Sequence, residues 1–438
     1  MNIFISFLFS FLLFFLSLSR AAFCNEVLLK ALQESMQELQ GTVKSLQATL
    51  LEQNEVIKNQ SIRIASLEKD KPAPKTIPAP KPEKAPTLVG LAQGINPEIG
   101  VTGTVQAHLT EDSADEEGKD TIALKELELG FAQYVDPYSR LDAILTFNDA
   151  LESQNVAIEE AYYSHWGLPL GFRGQIGKFR AKIGKQNLQH LHALANADYA
   201  EVIKDFFGED GLSSSGARLV HDIPNPWDIP VEITGEVLRG NNGRSFSGVS
   251  RRPIFNAHAK TFFETSENTN LELGWTTLFG DENPAQFSGF NDNGDVVTRR
   301  VSDGRNKYGV KVYGADATFN WLLPENKSLR FQNEVYFQNR GKLVFINDNP
   351  WGFYSLLDYR FSSKFSVGIR FDLVEPLGGG AHVRTTGISP YFTFWQSEFA
   401  NFKIQYTHRD PADPNAQSDD AVFLTANFLI GSHKHPVQ

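Results

Sequence analysis

The chain has 438 residues and a formal charge of −11; aromatics make up 12% of it, 34 of them Phe, and Met and Cys are nearly absent. The acidic balance argues against a nucleic-acid partner. The single cysteine, Cys24, excludes an internal disulfide and a cysteine-built metal site.

Residues 1–24 read as a secretory signal peptide. An apolar run from Phe4 to Leu18 is short for a spanning helix, and Ala21, Ala22 and Cys24 offer small residues for cleavage. Lipidation at Cys24 is the competing reading, and the bulky Phe23 before it argues against that. No later segment has the roughly 20 apolar residues of a membrane helix, so any crossing is by strands closed into a barrel.

Residues 25–70 predict a coiled coil. Leu29, Met36, Val43, Leu50, Ile57 and Ile64 fall at a positions, and Leu32, Leu39, Leu46, Gln53, Gln60 and Leu67 at d. A 3-4 repeat held in phase this long is specific, and at 1.5 Å per residue it makes a rod of roughly 58 Å. Such a rod implies a homo-oligomer through residues 29–67, or else a helix packed back on its own barrel. The a and d residues leave dimer and trimer open. Residues 71–89 follow as a linker, with KPAPKTIPAPKPEKAPT over 71–87 favouring an extended, semi-rigid spacer.

From Ile99 the hydrophobic period changes to two, and 90–438 reads as one all-β transmembrane barrel of about sixteen antiparallel strands. The strands centre on 99–108, 122–133, 139–148, 155–166, 171–182, 215–223, 230–239, 254–265, 269–278, 307–319, 328–338, 352–361, 365–375, 386–397, 400–409 and 420–431. Connections alternate between short turns (such as 136–139, 266–268 and 362–364) and long polar loops (such as 109–121, 183–214 and 279–306). Short turns at one rim and long loops at the other are what outer-membrane barrels have, and Trp166, Trp227, Trp275, Trp321, Trp351, Trp395, Tyr134 and Tyr138 suit interfacial girdles. The rod then lies on the periplasmic side of the outer membrane, with membrane lipid around the barrel.

The segment 184–215 breaks the rhythm. Leu188, Leu191, Leu194, Tyr199, Val202 and Phe206 recur at helical spacing and predict a short amphipathic helix in the third long loop, folded into the barrel mouth as a constriction. His190, His192, Asp198, Glu201, Lys204 and Asp205 are its candidate functional residues. Imidazoles two apart on a helix do not share a face, so His190 and His192 read as structural or solvent-facing, and no metal or cofactor is assigned. Lys178, Arg180 and Lys182 form a basic ladder leading into this loop. Arg140, Glu126, Glu128, Glu160, Lys311, Arg330, Arg370 and Asp372 complete the expected pore lining, either as a selectivity filter or as charges paired across strands. The loop 111–120, EDSADEEGKD, resembles a hydrated loop that attracts divalent cations, although such a run is more often simply a soluble loop. No GxSxG, HExxH or P-loop pattern is present, which argues against an enzyme.

Signal peptide, coiled coil, proline-rich linker and barrel together resemble the porin-like outer-membrane proteins of Gram-negative bacteria. IGKFRAKIGKQNLQHLHALANADY (176–199), FFGEDGLSSSGARL (206–219) and FLTANFLIGSHKH (423–435) are similar to the Legionella-type siderophore porin family, LbtU-like. That resemblance implies passive passage of iron–siderophore complexes or other small solutes, and analogy with porins favours a trimer. The tail Pro436-Val437-Gln438 departs from the terminal aromatic usual in such barrels, the last aromatic being Phe428. A barrel that merely anchors a periplasmic tether is the alternative function.

Overall fold

The structure, a computed structural model, describes residues 97–110, 120–150, 153–247, 251–282, 287–290, 296–299, 308–340, 349–377, 383–412 and 418–431. The predicted signal peptide, coiled coil and linker lie outside the described residues, as do His433, His435 and nearly all of the acidic loop.

Alternation does shape the chain. Its strands are β1 (Glu98–Thr110), β2 (Thr121–Asp136), β3 (Ser139–Ala150), β4 (Ser153–His165), β5 (Arg173–Arg180), β6 (Ser213–Asp222), β7 (Val231–Leu238), β8 (Ile254–Ser266) and β9 (Thr269–Glu282). A short hairpin, β10 (Phe287–Phe290) and β11 (Val296–Arg299), interrupts the series. Then come β12 (Tyr308–Leu323), β13 (Lys327–Arg340), β14 (Trp351–Arg360), β15 (Phe365–Val374), β16 (Thr385–Ser397), β17 (Ala400–Asp410) and β18 (Asp419–Gly431). Sixteen of these pair antiparallel with their sequence neighbours into one closed barrel, the hairpin lying in the connection between β9 and β12. Closure is made by β1 on β18, from Gly100 opposite Gly431 to Thr110 opposite Ala421. The sequence places every barrel strand within a few residues of its observed ends and misses only the hairpin, which sits in the expected 279–306 loop.

The outer wall is apolar. Leu273, Trp275, Phe331, Phe337, Ile369, Phe402 and Phe428 all stand exposed on it. Trp227, Tyr134, Tyr138, Trp166 and Trp321 gather toward the short-turn rim; Trp275, expected near a strand end, stands mid-strand. An apolar exterior around a largely polar interior is the arrangement that transmembrane barrels have. A shallow groove of about 880 Å³ crosses it where Ala259, Ala315 and Ala317 lie between Trp227, Trp275 and Phe353.

Two β-bulges set the inner wall. In β2 the register jumps so that Thr104 faces Glu126 and Val105 faces Leu124, leaving Lys125 as the extra residue. In β4 Ile144 faces Glu160 and Leu145 faces Ile158, leaving Glu159 extra. A bulge re-aims side chains without ending the strand. Here Val156 and Ile158 stay exposed outside while Glu159 and Glu160 both turn inward.

Candidate constriction in the lumen

The β5–β6 connection (181–212) does not cap the barrel from outside; it lies within the wall. Its neck is closed by the Ala181 amide on the Leu212 carbonyl, 2.9 Å, and by Asn187. Asn187 donates to the carbonyls of Ala181 and Leu212 and accepts the Leu212 amide at 2.6 Å. Only Glu201–Phe207, α1, is a helix; Gln186–Leu188 and Leu191–Ala193 are single 3₁₀ turns. The helix expected across Leu188–Phe206 is therefore cut short. The wall supplies the physical reason, because its side chains take the backbone groups that a helix would use internally. Glu334 of β13 accepts the amides of Lys185 and Gln186, at 3.0 and 2.7 Å. Gln106 of β1 donates to the Ala197 carbonyl, and Gln405 of β17 accepts the Ala197 amide at 2.8 Å.

The seat runs round the lumen. Glu236 of β7 accepts the Lys182 amide, and Thr276 of β9 accepts that of Gly184. Lys403 of β17 donates to the Leu194 carbonyl, and Arg370 of β15 to that of Asp198. Asp372 caps α1 from outside by accepting the Glu201 amide at 3.1 Å. Gly184 (φ 52°) is pressed so close to β13 that a Cβ would collide with the Glu334 carboxylate and the Tyr336 hydroxyl. A side chain there would have to displace that pair, so the position favours glycine.

The helix itself docks by apolar packing. Val202, Ile203, Phe206 and Phe207 are fully buried, in one cluster with Leu278, Val310, Val312, Tyr336, Tyr354, Leu356 and Val374 of the wall. Phe207 meets Tyr336 edge-on at 5.2 Å. Gly352 makes room, since a Cβ there would press on Val202. A lumen is ordinarily polar, so this inward apolar patch is a receptor for the loop.

The expected lining residues divide. Glu126, Glu128, Glu160, Arg140, Arg370 and Asp372 lie on inward registers, and Arg330 lies on one at the short-turn mouth. Arg180 turns inward where the chain leaves the wall, and Lys182 follows it, pairing with Glu232. Lys178 does not join them. It shares register with Ala161 and Ser215 on the outward face and donates to the Ile158 carbonyl. The basic ladder is thus broken, because it spans the last outward residue of β5 and the start of the loop. Lys311 also faces outward, opposite exposed Phe279. Its neighbours Val310 and Val312 are the inward ones, since they belong to the patch that receives α1.

Most inward charges are paired. Arg370 sits between Asp372, 2.6 Å, and Asp198, 3.1 Å. Glu201 meets Lys204 at 2.6 Å and Arg409 at 3.2 Å. These cations hold the Asp198 and Glu201 carboxyls below their usual range against the opposing effect of burial. Asp205 shifts the other way. Burial raises its carboxyl to about 6, offset only in part by the Leu377 amide it accepts.

His190 is buried, not solvent-facing. Its Nδ1 lies 3.0 Å from Glu128 and 3.1 Å from Glu159, and its Nε2 lies 3.5 Å from Glu160. Burial disfavours its charged form, but Glu128 and then Glu159 outweigh that and hold it well above its ordinary range. His192 reaches the same Glu128 oxygen at 3.3 Å. The two rings do converge, since the chain between them is a 3₁₀ turn entered from an extended residue. Glu159 went unread in the sequence. The signal was there: two adjacent acids, Glu159-Glu160, inside an alternating strand mark a bulge.

Two cavities flank the loop. One, of about 450 Å³, is lined from Arg140, Arg173 and Glu232 near the short-turn rim up to Leu188 and His190. The other, of about 300 Å³, has Asp198, Glu201, Lys204 and Asp205 as floor, with Arg244, Arg409 and Asp419 around them.

No family model matches the chain. A protein of Aquifex aeolicus (strain VF5), described only as uncharacterized, is 25% identical over 362 residues, covering 77% of this chain and 75% of its own. Among solved structures, the anion-selective porin from Comamonas acidovorans superposes with a TM-score of 0.50 at 8% identity, over 76% of this chain and 100% of its own. Salmonella typhi OmpF gives 0.49 at 10% identity, over 77% and 99%. At 8% identity the likeness to the Comamonas porin is one of fold: the chain has a porin-like, sixteen-stranded barrel.

Proposed function

We propose that this protein is an outer-membrane channel for passive uptake of small solutes, with the β5–β6 loop as its constriction. One observation carries the reading: the loop is seated across the lumen, bonded to β1, β7, β9, β13, β15 and β17, with a cavity on either side. A barrel of about sixteen strands leaves an aqueous lumen unless something fills it. The cavities of about 450 and 300 Å³ suit solutes of modest size. Because the lining charges are mostly paired, selectivity between anions and cations is weak. Iron–siderophore complexes as cargo rest on the resemblance of 176–199, 206–219 and 423–435. A coiled coil on the periplasmic side, joining protomers through residues 29–67 into a trimer, completes the reading.

Recording single channels in planar bilayers tests it. Deleting residues 186–210 should raise conductance severalfold while the barrel stays folded. Unchanged conductance would put the loop outside the conducting path. The density of loop-to-wall bonding favours one other reading, a closed barrel anchoring a tether. In that case the full-length protein is silent, and loss of residues 25–87 detaches the envelope.

A further inference from the structure

We propose that the His190–His192 turn and the inward glutamates of β2 and β4 form a binding site for one divalent transition-metal ion, with Glu128 as the shared ligand. Donor atoms of Glu128, Glu159 and His190 lie within 4.8 Å of one another, and so do those of Glu126, Glu128 and His192. Imidazole nitrogen with carboxylate oxygen is the donor set of zinc and its first-row neighbours. Spacing fits as well. Two ligands each about 2.0–2.1 Å from a tetrahedral ion stand roughly 3.3 Å apart. The imidazole-to-carboxylate separations here are 3.0, 3.1 and 3.3 Å.

Charge points the same way. Glu126, Glu128, Glu159 and Glu160 converge on one stretch of wall, two of them turned there by the β4 bulge. Arg180 pairs with Glu159, and the two imidazoles lie within 3.5 Å of Glu128, Glu159 and Glu160. Gathered carboxylates in a poorly hydrated place need a compensating cation. A proton on His190 provides one charge; a metal ion provides two and joins both strands to the loop. Binding replaces the imidazole proton by the metal and releases it to solvent, so affinity falls as the pH is lowered. The inference is independent of whether the barrel conducts.

The test uses the full-length protein, folded in detergent and stripped with chelator, titrated with zinc chloride at pH 7.5 against a chromogenic zinc indicator. One equivalent should bind per chain. Glu128→Gln, which removes the ligand common to both triads, should weaken binding by about tenfold or more. His190→Asn with His192→Asn should do the same, and Glu232→Gln, in the same lumen but outside the cluster, should leave it unchanged. Heat-modified gel mobility verifies folding of each variant. Cobalt(II) gives a second reading that needs no variant: a four-coordinate site produces a visible absorption band that zinc abolishes. A wild-type affinity within twofold of the folded double-histidine variant, or no such band at saturating cobalt, overturns the proposal.

Discussion

The two halves of the β5–β6 loop are held by opposite physics. From 184 to 200 it is extended and 3₁₀ backbone whose polar groups are taken one by one by Glu334, Gln106, Gln405 and Lys403. From 201 to 207 it is a helix that buries Val202, Ile203, Phe206 and Phe207 in an apolar socket. The first half, although Leu194, Tyr199 and Ala200 are buried, is fixed mainly by direction, and the second mainly by shape. A hydrogen-bonded strap loses little when one bond is cut, since each net contribution is about 1 kcal/mol. A packed helix loses far more when its socket receives a charge. The difference indicates where the loop is stapled and where it can be tuned.

Val202→Asp should therefore have the largest effect. It places an unpaired carboxylate at a fully buried position against Gly352 and Val374, costing on the order of 4 kcal/mol. Loop proteolysis in the folded barrel would rise sharply, and the comparison fails if that loop stays protected. Asp372→Asn comes next, at about 3 kcal/mol, because it takes a carboxylate from buried Arg370 and weakens the cap on Glu201. As this residue serves both halves, both should loosen together in hydrogen exchange. Third is a pH effect confined to the helical half. Asp205 titrates at about 6 when folded, against 3.8 as its ordinary value. The folded state thus binds the extra proton, so its contribution is full below 3.8 and is lost as pH rises through about 6. The melting midpoint should fall between pH 4 and pH 7, by the equivalent of roughly 2 kcal/mol, and Asp205→Asn should flatten that slope. Smallest is Gln405→Ala. It removes bonds to the Ala197 amide and the Asp198 carboxylate for about 1 kcal/mol, leaving α1 protected.

Much of the barrel was legible because a strand between lipid and lumen has to alternate, as Phe365, Val367, Ile369 and Phe371 do against Arg370 and Asp372. Alternation tells which residues share a face. It does not tell which face is which once the lumen has an apolar patch of its own, and Lys311 was misplaced for that reason. The inward course of the loop was readable from its apolar content. Its conformation was not, because Glu334, Gln106 and Gln405 act across separations of 148, 91 and 208 residues. A period-two count passes over bulges, so Glu159 was missed although the adjacent acids mark it, and the convergence of His190 with His192 depends on a 3₁₀ turn that helical spacing does not signal.

Because Ala197 is held at once by Gln106 from the first strand and Gln405 from the next to last, its berth does not exist until the ends of the chain have met. Seating of the loop is thus a late step in assembly, after a closure that joins residues more than 300 apart in sequence, such as Thr104 and Asn427. A slip of one residue at that seam would turn Gln106 to the opposite side and leave the loop adrift. The seated loop acts as a proofreader of closure: protease resistance at 186–200 during refolding reports a barrel zipped in the correct register.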